Sequence, residues 1–400
     1  MSWLAQAVEK YLAKVLSFAA FNACMVMMKH IVLLMVVAIL ISIVTVGLFL
    51  QYINSPEGYS NGNGLNVYFG VDIAYANVTA IENQIDQMQN YTNLIVIGCT
   101  GITENLTLCS AVCQYAYDRN LSFIIYTSKP YNRQWLQNAQ DQWGSRFLGL
   151  YAYDESGGKT LDGTYGYIKA INYSSAATIF VSRLKRSLGR VDNGTDTPLF
   201  SSDYALYWFD YEGGYDTVFA EFGWNYSRQL NVALVRGAAA VQGKNWGVMI
   251  TWTYDQPPYL EPGSQLLSDM KLAYDNGAKY IIIFDSNANY TQGILQSQHL
   301  KAMQQFWQYM QANPQPGYPP SSRTAFVLPN DYAIGFNEPN DKIWGLWQAD
   351  NFTVQLCVNL NNALHQYGSK LDIVYDDSTF PNNNSVYETL IFWNETVTKR

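Results

Sequence analysis

Histidine is scarce in this chain, with three residues in 400. His30 lies at the start of a long apolar run, and His299 and His365 fall in separate helical patterns. Catalytic triads use a histidine base, and catalytic zinc sites rely largely on histidine ligands. The scarcity therefore disfavours hydrolysis by a serine, a cysteine or a metal ion, and we predict no metal and no cofactor.

Cysteine is almost as rare, with five residues. Cys24 precedes the apolar run, whereas Cys99, Cys109, Cys113 and Cys357 follow it. None of them has a spacing or a histidine neighbour that is typical of a metal site. A disulfide among Cys99, Cys109 and Cys113 is left open by the sequence.

Positive charge is also limited. Charged residues make up 14% of the chain, with 24 basic against 32 acidic residues. Three Lys and one Glu precede the end of the apolar run, which leaves a net charge of −10 for the rest of the chain. So acidic a polypeptide is a poor partner for nucleic acid.

A single long hydrophobic run stands near the start, IVLLMVVAILISIVTVGLFL at 31–50. Twenty residues of helix at about 1.5 Å each span a hydrocarbon core of about 30 Å, so we predict a transmembrane helix. Lys10, Lys14 and Lys29 precede the run and an acidic stretch follows it, which predicts a cytoplasmic N-terminus and an extracellular remainder. A cleaved signal peptide is the alternative, but the run is long and lacks a prompt cleavage site.

The flanks of this run have different characters. Residues 1–30 contain an amphipathic pattern, which predicts a helix lying on the cytoplasmic membrane surface or, second, a partner-binding helix. Residues 51–64 are rich in Gly and Asn and predict a flexible linker. We therefore predict a protein of the cell membrane, held by one N-terminal span.

Eleven Asn-x-Ser/Thr sequons occur, all of them after the run. Four lie in predicted loops that follow strands, at Asn77, Asn105, Asn225 and Asn289, and another is Asn394. We predict glycosylation at Asn90, Asn120, Asn172, Asn193, Asn351 and Asn383.

Residues 65–317 alternate short apolar runs with amphipathic stretches. We predict eight strands, which are NVYFGVDIAY from Asn66, NLIVIGCTG from Asn93, LSFIIYTS from Leu121, FLGLYAYDE from Phe147, PLFSSDYA from Pro198, TVFAEFG from Thr217, WGVMITWTYD from Trp246 and YIIIFDS from Tyr280. Eight β-α units in about 250 residues predict an α/β fold of the (β/α)8 (TIM) barrel type. The fifth unit is weak, with only a short helix, and a doubly wound open sheet is the alternative.

After a Pro-rich break, residues 318–400 repeat the pattern on a smaller scale, with TAFVLP, a helical stretch, KLDIVYDD and ETLIFWN. The segment predicts a small C-terminal α/β unit. Because it has no phosphate-binding glycine loop, we assign it no cofactor and expect it to pack on the barrel.

Carboxylates concentrate where the predicted strands end, which is the catalytic face of such barrels. Glutamate is a poor helix cap, so Glu155 and Glu221 are harder to explain as caps than the aspartates are. Cleavage of a glycosidic bond needs two carboxyl groups with different protonation states. We predict Glu155 as acid/base and Glu221 as nucleophile or base. Because residues alternate along a strand, only one of Asp154 and Glu155 should face the barrel axis unless a bulge intervenes.

Aromatic residues gather at the same strand ends and suit the apolar faces of sugars, although half of them can be explained as core. Together with the remaining carboxylates they form the predicted substrate-binding set, which is Asp72, Tyr153, Asp154, Asp203, Trp208, Trp224, Trp252, Tyr254, Asp255 and Asp285.

Three stretches give the chain a resemblance to (β/α)8-barrel glycoside hydrolases: LYAYDESGG after the fourth strand, VFAEFGW at the sixth and ITWTYDQPP at the seventh. The resemblance covers Val67 to Asn313 and is one of layout, that is, of where these stretches stand in the series of strands. It implies a carbohydrate substrate and an acid/base carboxylate after the fourth strand. The Asn-Glu dipeptide of the largest group is absent there, and Trp252 or Asp255 replaces its seventh-strand nucleophile. The composition also resembles that of archaeal surface proteins.

Two functions remain open at the level of sequence. One is a membrane-anchored glycosidase, and the other is a barrel that binds glycans or organises surface protein without catalysis. The four sequons in the strand-to-helix loops support the second, because glycans there would crowd the barrel mouth.

Overall fold

The computed structural model describes residues 66–164, 169–315, 323–336, 338–377, 387–394 and 396–399. The predicted cytoplasmic segment, membrane span and linker at 1–64 lie outside these residues, as does Asn383. Within the described ranges, no helix is long and apolar enough to span a bilayer.

The first eight strands close into a barrel in which neighbours in sequence are neighbours in space and every pair is parallel. Its strands are β1 (Tyr68–Ile73), β2 (Leu94–Ile97), β3 (Ser122–Thr127), β4 (Phe147–Ala152), β5 (Leu199–Asp203), β6 (Thr217–Phe222), β7 (Asn245–Ile250) and β8 (Tyr280–Asp285). The register of β1 with β8 closes the ring. The predicted (β/α)8 barrel is confirmed, and the open-sheet alternative is wrong.

Helices cover the outside of the barrel. They are α1 (Val78–Met88), α2 (Thr100–Thr103), α3 (Leu106–Asp118), α4 (Arg133–Trp143), α5 (Ser156–Leu161), α6 (Tyr173–Val191), α7 (Tyr207–Gly213), α8 (Arg228–Gln242), α9 (Gly263–Asp275) and α10 (Ser297–Ala312). Asparagine side chains cap the starts of several, as where Asn77 Oδ1 accepts from the Ala80 N–H of α1 at 3.0 Å. The fifth unit has the expected short helix, α7.

Side chains from alternate strand positions fill the barrel interior. In β2, Leu94 and Val96 point inward, whereas Ile95 and Ile97 join the layer between strands and helices. The inner layer also includes Tyr151, Phe200, Phe219, Met249, Tyr280 and Ile282. The barrel interior is therefore a packed core.

The C-terminal unit is a four-stranded sheet of order β10-β9-β11-β12. It comprises β9 (Thr324–Leu328), α11 (Asn351–Tyr367), β10 (Leu371–Tyr375), β11 (Thr389–Phe392) and β12 (Val397–Lys399). Helix α8 of the barrel packs on β10, and Arg236 of α8 donates to the buried Asp372 at 2.7 Å. This salt bridge joins the two parts, so the C-terminal unit packs on the barrel as expected.

The described cysteines are all free. Cys109 and Cys113 lie one turn apart on α3 with their Sγ atoms 3.9 Å apart. No disulfide forms among the three candidates that the sequence left open.

Candidate functional site

The ends of β4, β5 and β6 bring the predicted catalytic carboxyl groups to one side of the barrel mouth. Glu221 is the penultimate residue of β6 and is 6% exposed. Burial raises its pKa well above the usual range, and the negative charge of Glu155 adds to the rise. Glu155, predicted as the partner of Glu221 from a separate stretch, is therefore near enough to Glu221 for its charge to act on it.

A chain of hydroxyl groups orients Glu221 from inside the barrel. The Ser202 hydroxyl donates to Glu221 Oε1 at 2.7 Å, and the hydroxyls of Ser202 and Tyr151 lie 2.7 Å apart. Because Ser202 uses its proton on Glu221, Tyr151 donates to Ser202. Because Oε1 accepts from Ser202, Oε2 is the oxygen of Glu221 that is left to carry a proton.

The turn after β4 presents the other carboxylates. The strand ends at Ala152, and Tyr153 and Glu155 have left-handed backbones with φ of 53° and 56°. The ideal-strand alternation expected for Asp154 and Glu155 is therefore wrong, since both residues lie beyond the strand. Lys159 Nζ lies 2.9 Å from Glu155 Oε2 and 3.5 Å from Asp154 Oδ2.

Lys159 places a fixed positive charge beside this pair. Burial lowers its pKa, but the charges of Asp154 and Glu155 outweigh burial, so the net shift is upward and the ammonium stays charged. The Tyr126 hydroxyl donates to Asp154 Oδ1 at 3.2 Å from the end of β3. Asp154 and Glu155, each about one-third exposed, thus face solvent beside the same ammonium group.

Asp203, predicted to bind substrate, ends β5 and is fully buried. Its Oδ2 accepts from the Gly157 N–H at 2.6 Å, and its Oδ1 from the Gly158 N–H at 2.8 Å. Burial raises the pKa of Asp203 to about 7, against the lowering effect of these bonds. The carboxyl group therefore ties β5 to the start of α5, which is a structural contact, and its part in binding substrate stays a prediction.

The two glycines after Glu155 are required by this packing. A Cβ on Gly158 would lie 2.1 Å from the Tyr204 ring, and one on Gly157 would lie 2.6 Å from the Ala205 carbonyl oxygen. The backbone of α5 can therefore approach the end of β5 closely enough to donate to Asp203.

Asp72 lies at the mouth on the far side, in β1, and is 2% exposed. Burial, followed by the charges of Asp154 and Asp285, raises its pKa well above the usual range. Its Oδ1 has no hydrogen-bond partner. Oδ1 packs against Gly98 at the end of β2, where a Cβ would lie 2.0 Å from it, and the part of Asp72 in binding substrate stays a prediction.

Asp285 ends β8 and turns toward the loop that follows. Its Oδ1 accepts from the N–H groups of Ile294 and Leu295 at 2.5 and 3.1 Å. Burial raises its pKa, while these bonds lower it. Its contacts are on the β8 side and do not include Glu155 or Glu221.

The predicted aromatic set divides by position. Trp252, in the loop after β7, donates from Nε1 to the Ser286 carbonyl at 2.9 Å and packs against Phe284 with ring centres 5.9 Å apart. Trp224 and Tyr254 are more than 40% exposed, and Asp255 is exposed in the loop after β7. Trp208 is buried instead at the C-terminal unit, where its Nε1 donates to Asp377, so its position does not support contact with substrate.

Several residues of the site were not predicted from the sequence. Lys159 lies one helical turn after Glu155, a spacing typical of an ion pair, so the sequence did hold a signal for it. Ser202 and Tyr126 carry no signal beyond their position near strand ends. Tyr290 is 54% exposed, and the charges of Asp154, Glu155 and Asp72 help to raise its pKa after burial does, which places its ring near the carboxylates.

The similar solved structures are distant in sequence. No protein-family profile and no curated protein sequence matches the chain. Similar solved structures include a GH5_18 protein from Streptomyces cattleya in complex with GlcNAc, with 11% identity, 82% of this chain and 99% of that chain covered, and a TM-score of 0.49. A β-mannanase from the blue mussel Mytilus edulis has 12% identity, 63% and 93% coverage, and a TM-score of 0.39. A GH30 endoxylanase from Clostridium papyrosolvens C71 has 10% identity, 62% and 72% coverage, and a TM-score of 0.39. At these identities and TM-scores, no activity is transferred to this chain.

Proposed function

We propose that the chain hydrolyses glycosidic bonds at the barrel mouth, with Glu221 as the proton donor and Glu155 as the ionised partner. One observation carries the proposal: the charge of Glu155 acts on Glu221, and the two glutamates have opposite surroundings. Glu221 is buried and hydrogen-bonded to a hydroxyl, whereas Glu155 is about one-third exposed and paired with Lys159. Pairs of carboxyl groups with divergent environments supply the acid and the base of glycosidases.

The reaction follows from these states. Glu221 Oε2 gives its proton to the leaving oxygen as the bond from that oxygen to the anomeric carbon breaks. Glu155 either takes a proton from the water that attacks the anomeric carbon or attacks that carbon itself. In the second route the deprotonated Glu221 takes a proton from water, which then displaces Glu155 from the anomeric carbon and releases the sugar. These roles are the reverse of those predicted from the sequence. The sequence did not indicate which of the two glutamates is buried.

The surrounding residues suit a sugar. Asp72 and Asp154 can bind hydroxyl groups, and the exposed rings of Tyr290 and Trp224 offer apolar faces. His299, in contrast, is buried at α10 with its ring nitrogens on the Glu261 carbonyl and the Gln296 N–H. Among the described residues, it is therefore not available as the base of a serine or cysteine nucleophile.

The test is hydrolysis of a panel of aryl glycosides and oligosaccharides by the parent, Glu155→Gln and Glu221→Gln. Glu104→Gln is the matched control, since Glu104 pairs with Lys129 at 2.8 Å with a similar exposure to that of Glu155. We expect turnover to fall by about 10³-fold or more in both site variants and to stay within about twofold in the control. Unchanged turnover in the site variants would refute the mechanism.

A second candidate is a barrel that binds glycans without cleaving them. The 2.9 Å pairing of Lys159 with Glu155 favours it, because the ammonium covers one face of the proposed nucleophile. A parent protein that binds oligosaccharides but hydrolyses no member of the panel would decide for this reading.

We also propose that residues 31–50 anchor the barrel to the cell membrane with the N-terminus in the cytoplasm and the barrel outside. The uncharged twenty-residue run and the lysines before it support this arrangement. Resistance of the full chain to alkaline extraction from membranes, with protease access to the barrel on intact cells, is the expected result. Release by alkali, or protection of the barrel, would contradict it.

A further inference from the structure

A cleft of about 400 Å³ opens beside the barrel mouth, between α1 and the loop that follows β8. Its size lies within the range of about 300–1,000 Å³ that is typical of small-molecule sites. One wall is a single face of α1, formed by Ala80, Asn83, Gln84 and Gln87, which are spaced three or four residues apart. The opposite face of α1 buries Ile81, Ile85 and Met88 in the core, so the cleft face is free for a ligand.

One buried polar atom of a residue that lines this cleft lacks a partner, and it is Gln84 Nε2 on α1. On the facing wall Asp285 is 1% exposed, and its carboxyl group interacts with the Tyr75 hydroxyl, which also lines the cleft. Buried polar groups without partners are costly, and a bound ligand is one way in which they become satisfied.

The lining chemistry defines the kind of ligand. Amide side chains dominate it, joined by the hydroxyls of Tyr75 and Thr291 and by one carboxyl group, and it includes no Lys, Arg or His. Amides and hydroxyls both donate and accept, as sugar hydroxyls do. The lack of a cation disfavours an anionic ligand, and a single carboxyl group is a weak basis for a metal site, because calcium takes six to eight oxygen ligands.

We propose that this cleft is a second carbohydrate site, which holds one neutral mono- or disaccharide unit between Gln84 of α1 and Asp285 at the end of β8. The site is separate from the Glu155 and Glu221 pair and does not require hydrolysis. It binds a neighbouring sugar unit of a glycan whether or not the barrel mouth cleaves one.

The test is calorimetric titration of the full chain with neutral disaccharides, with glucuronate and with calcium chloride alone. All proteins carry Thr79→Ala, which removes the Asn77 sequon without changing the Asn77 cap of α1, so that no glycan on Asn77 can occupy the cleft. Gln84→Ala deletes the unpartnered donor, and Gln87→Trp fills the cleft from an exposed position. Glu82→Ala, on the same helix but outside the lining, is the control.

We expect at least one neutral disaccharide to bind, with about tenfold weaker binding in Gln84→Ala, none in Gln87→Trp and no change in Glu82→Ala. Hydrolysis by the cleft variants of a small aryl monoglycoside should stay at the parent level, which separates this proposal from the one on the barrel mouth. The proposal is overturned if no neutral sugar binds, if binding survives Gln87→Trp, or if calcium or glucuronate binds in place of the sugars.

Discussion

Glu221 and Glu155 carry the same functional group in two different environments. The environments differ because a few side chains next to each carboxyl group differ. Ser202 and Tyr151 meet Glu221 inside the barrel, whereas Lys159 meets Glu155 at the rim. The positions of the two glutamates at strand ends were predictable from the sequence. Their protonation states were not, because each depends on residues from other strands and on how deeply the side chain is buried.

The variant Ser202→Ala tests how the hydrogen bond from Ser202 affects Glu221. The Ser202 bond lowers the pKa of Glu221, so its loss should raise that pKa further. Since Glu221 must be protonated to act, the alkaline limb of the kcat profile should move to higher pH by about one pH unit, with a several-fold fall in kcat.

The matched control is Ser201→Ala, the preceding residue in β5, whose hydroxyl bonds to backbone carbonyls instead. If the alkaline limb of the kcat profile moves equally in both variants, or in neither, the role assigned to Ser202 is contradicted. Rescue of the limb by Ser202→Thr, which restores a hydroxyl, would support it.

The predicted and observed ends of a strand can differ because of the connection to the helix that follows it. The predicted fourth strand ran to Glu155 because the apolar pattern continues through Tyr153, yet β4 ends at Ala152. The left-handed turn depends on the bonds from the start of α5 to Asp203, which lies about 45 residues away in sequence. A local pattern carries no signal for such a contact.

The Asp203 connection predicts a contrast between two variants. Asp203→Ala leaves the N–H groups of Gly157 and Gly158 without an acceptor, and we expect a loss of about 3 to 5 kcal/mol in the free energy of unfolding. Asp210 faces Asp203 from α7, and burial followed by the Asp203 charge raises its pKa, which favours its neutral form. Asp210→Asn keeps a neutral donor and should cost less than about 1 kcal/mol.

Urea unfolding of both variants at pH 6 checks this contrast. Equal losses in the two proteins would mean that Asp210 is not held as a neutral acid. A negligible loss in Asp203→Ala would contradict the structural role of the carboxyl group.

Helix α8 makes the contact between the barrel and the C-terminal unit. A Cβ on Gly237 would lie 2.3 Å from the Ile373 carbonyl oxygen of β10, so only glycine allows this approach. Gly237→Ala should lower the free energy of unfolding by about 2 to 3 kcal/mol, since the helix must move away from the sheet. Gly189→Ala on α6 is the control, because nothing lies within 4 Å of its added Cβ, and it should be neutral or stabilising by up to about 1 kcal/mol. Equal effects of the two changes, measured by urea unfolding, would contradict the account of this interface.

For the whole molecule, the count of eight β-α units was enough to predict the closed barrel. Each strand and helix can be recognised from the spacing of apolar residues within its own segment. The order of the C-terminal sheet and the Trp208 contact with it could not be predicted, since they depend on pairing between distant segments. The same holds for the cleft beside α1, whose two walls come from opposite ends of the barrel sequence.

Buried carboxyl groups predict the pH dependence of stability. Burial raises the pKa of Asp203 and Glu212 to about 7 and that of Glu261 to about 8, and it raises those of Asp72, Asp210 and Glu221 well above their usual range. Between pH 4 and 8 the folded chain therefore holds more protons than the unfolded chain, so stability falls as pH rises. The pKa values of Asp285 and Asp331 are raised as well, whereas His299, whose pKa burial lowers, acts in the opposite sense as a single group.

We expect the Tm to be lower at pH 8 than at pH 5 by about 5 to 10 °C. Differential scanning calorimetry across this range measures it directly, with Asp210→Asn expected to flatten the dependence. A Tm that is constant or rises with pH would show that these carboxyl groups are ionised in the folded chain.

The most direct test of the central claim, that Glu221 donates the proton, is the dependence of the Glu221→Gln variant on the leaving group. A dinitrophenyl glycoside leaves without protonation, whereas an alkyl glycoside needs the acid. We predict that turnover by Glu221→Gln falls by about 10³-fold or more on the alkyl glycoside but by less than about tenfold on the dinitrophenyl glycoside. The pH profile of this variant should have no alkaline limb. Glu155→Gln should lose turnover on both substrates. Equal losses of Glu221→Gln on the two substrates, or an alkaline limb that survives, would contradict it.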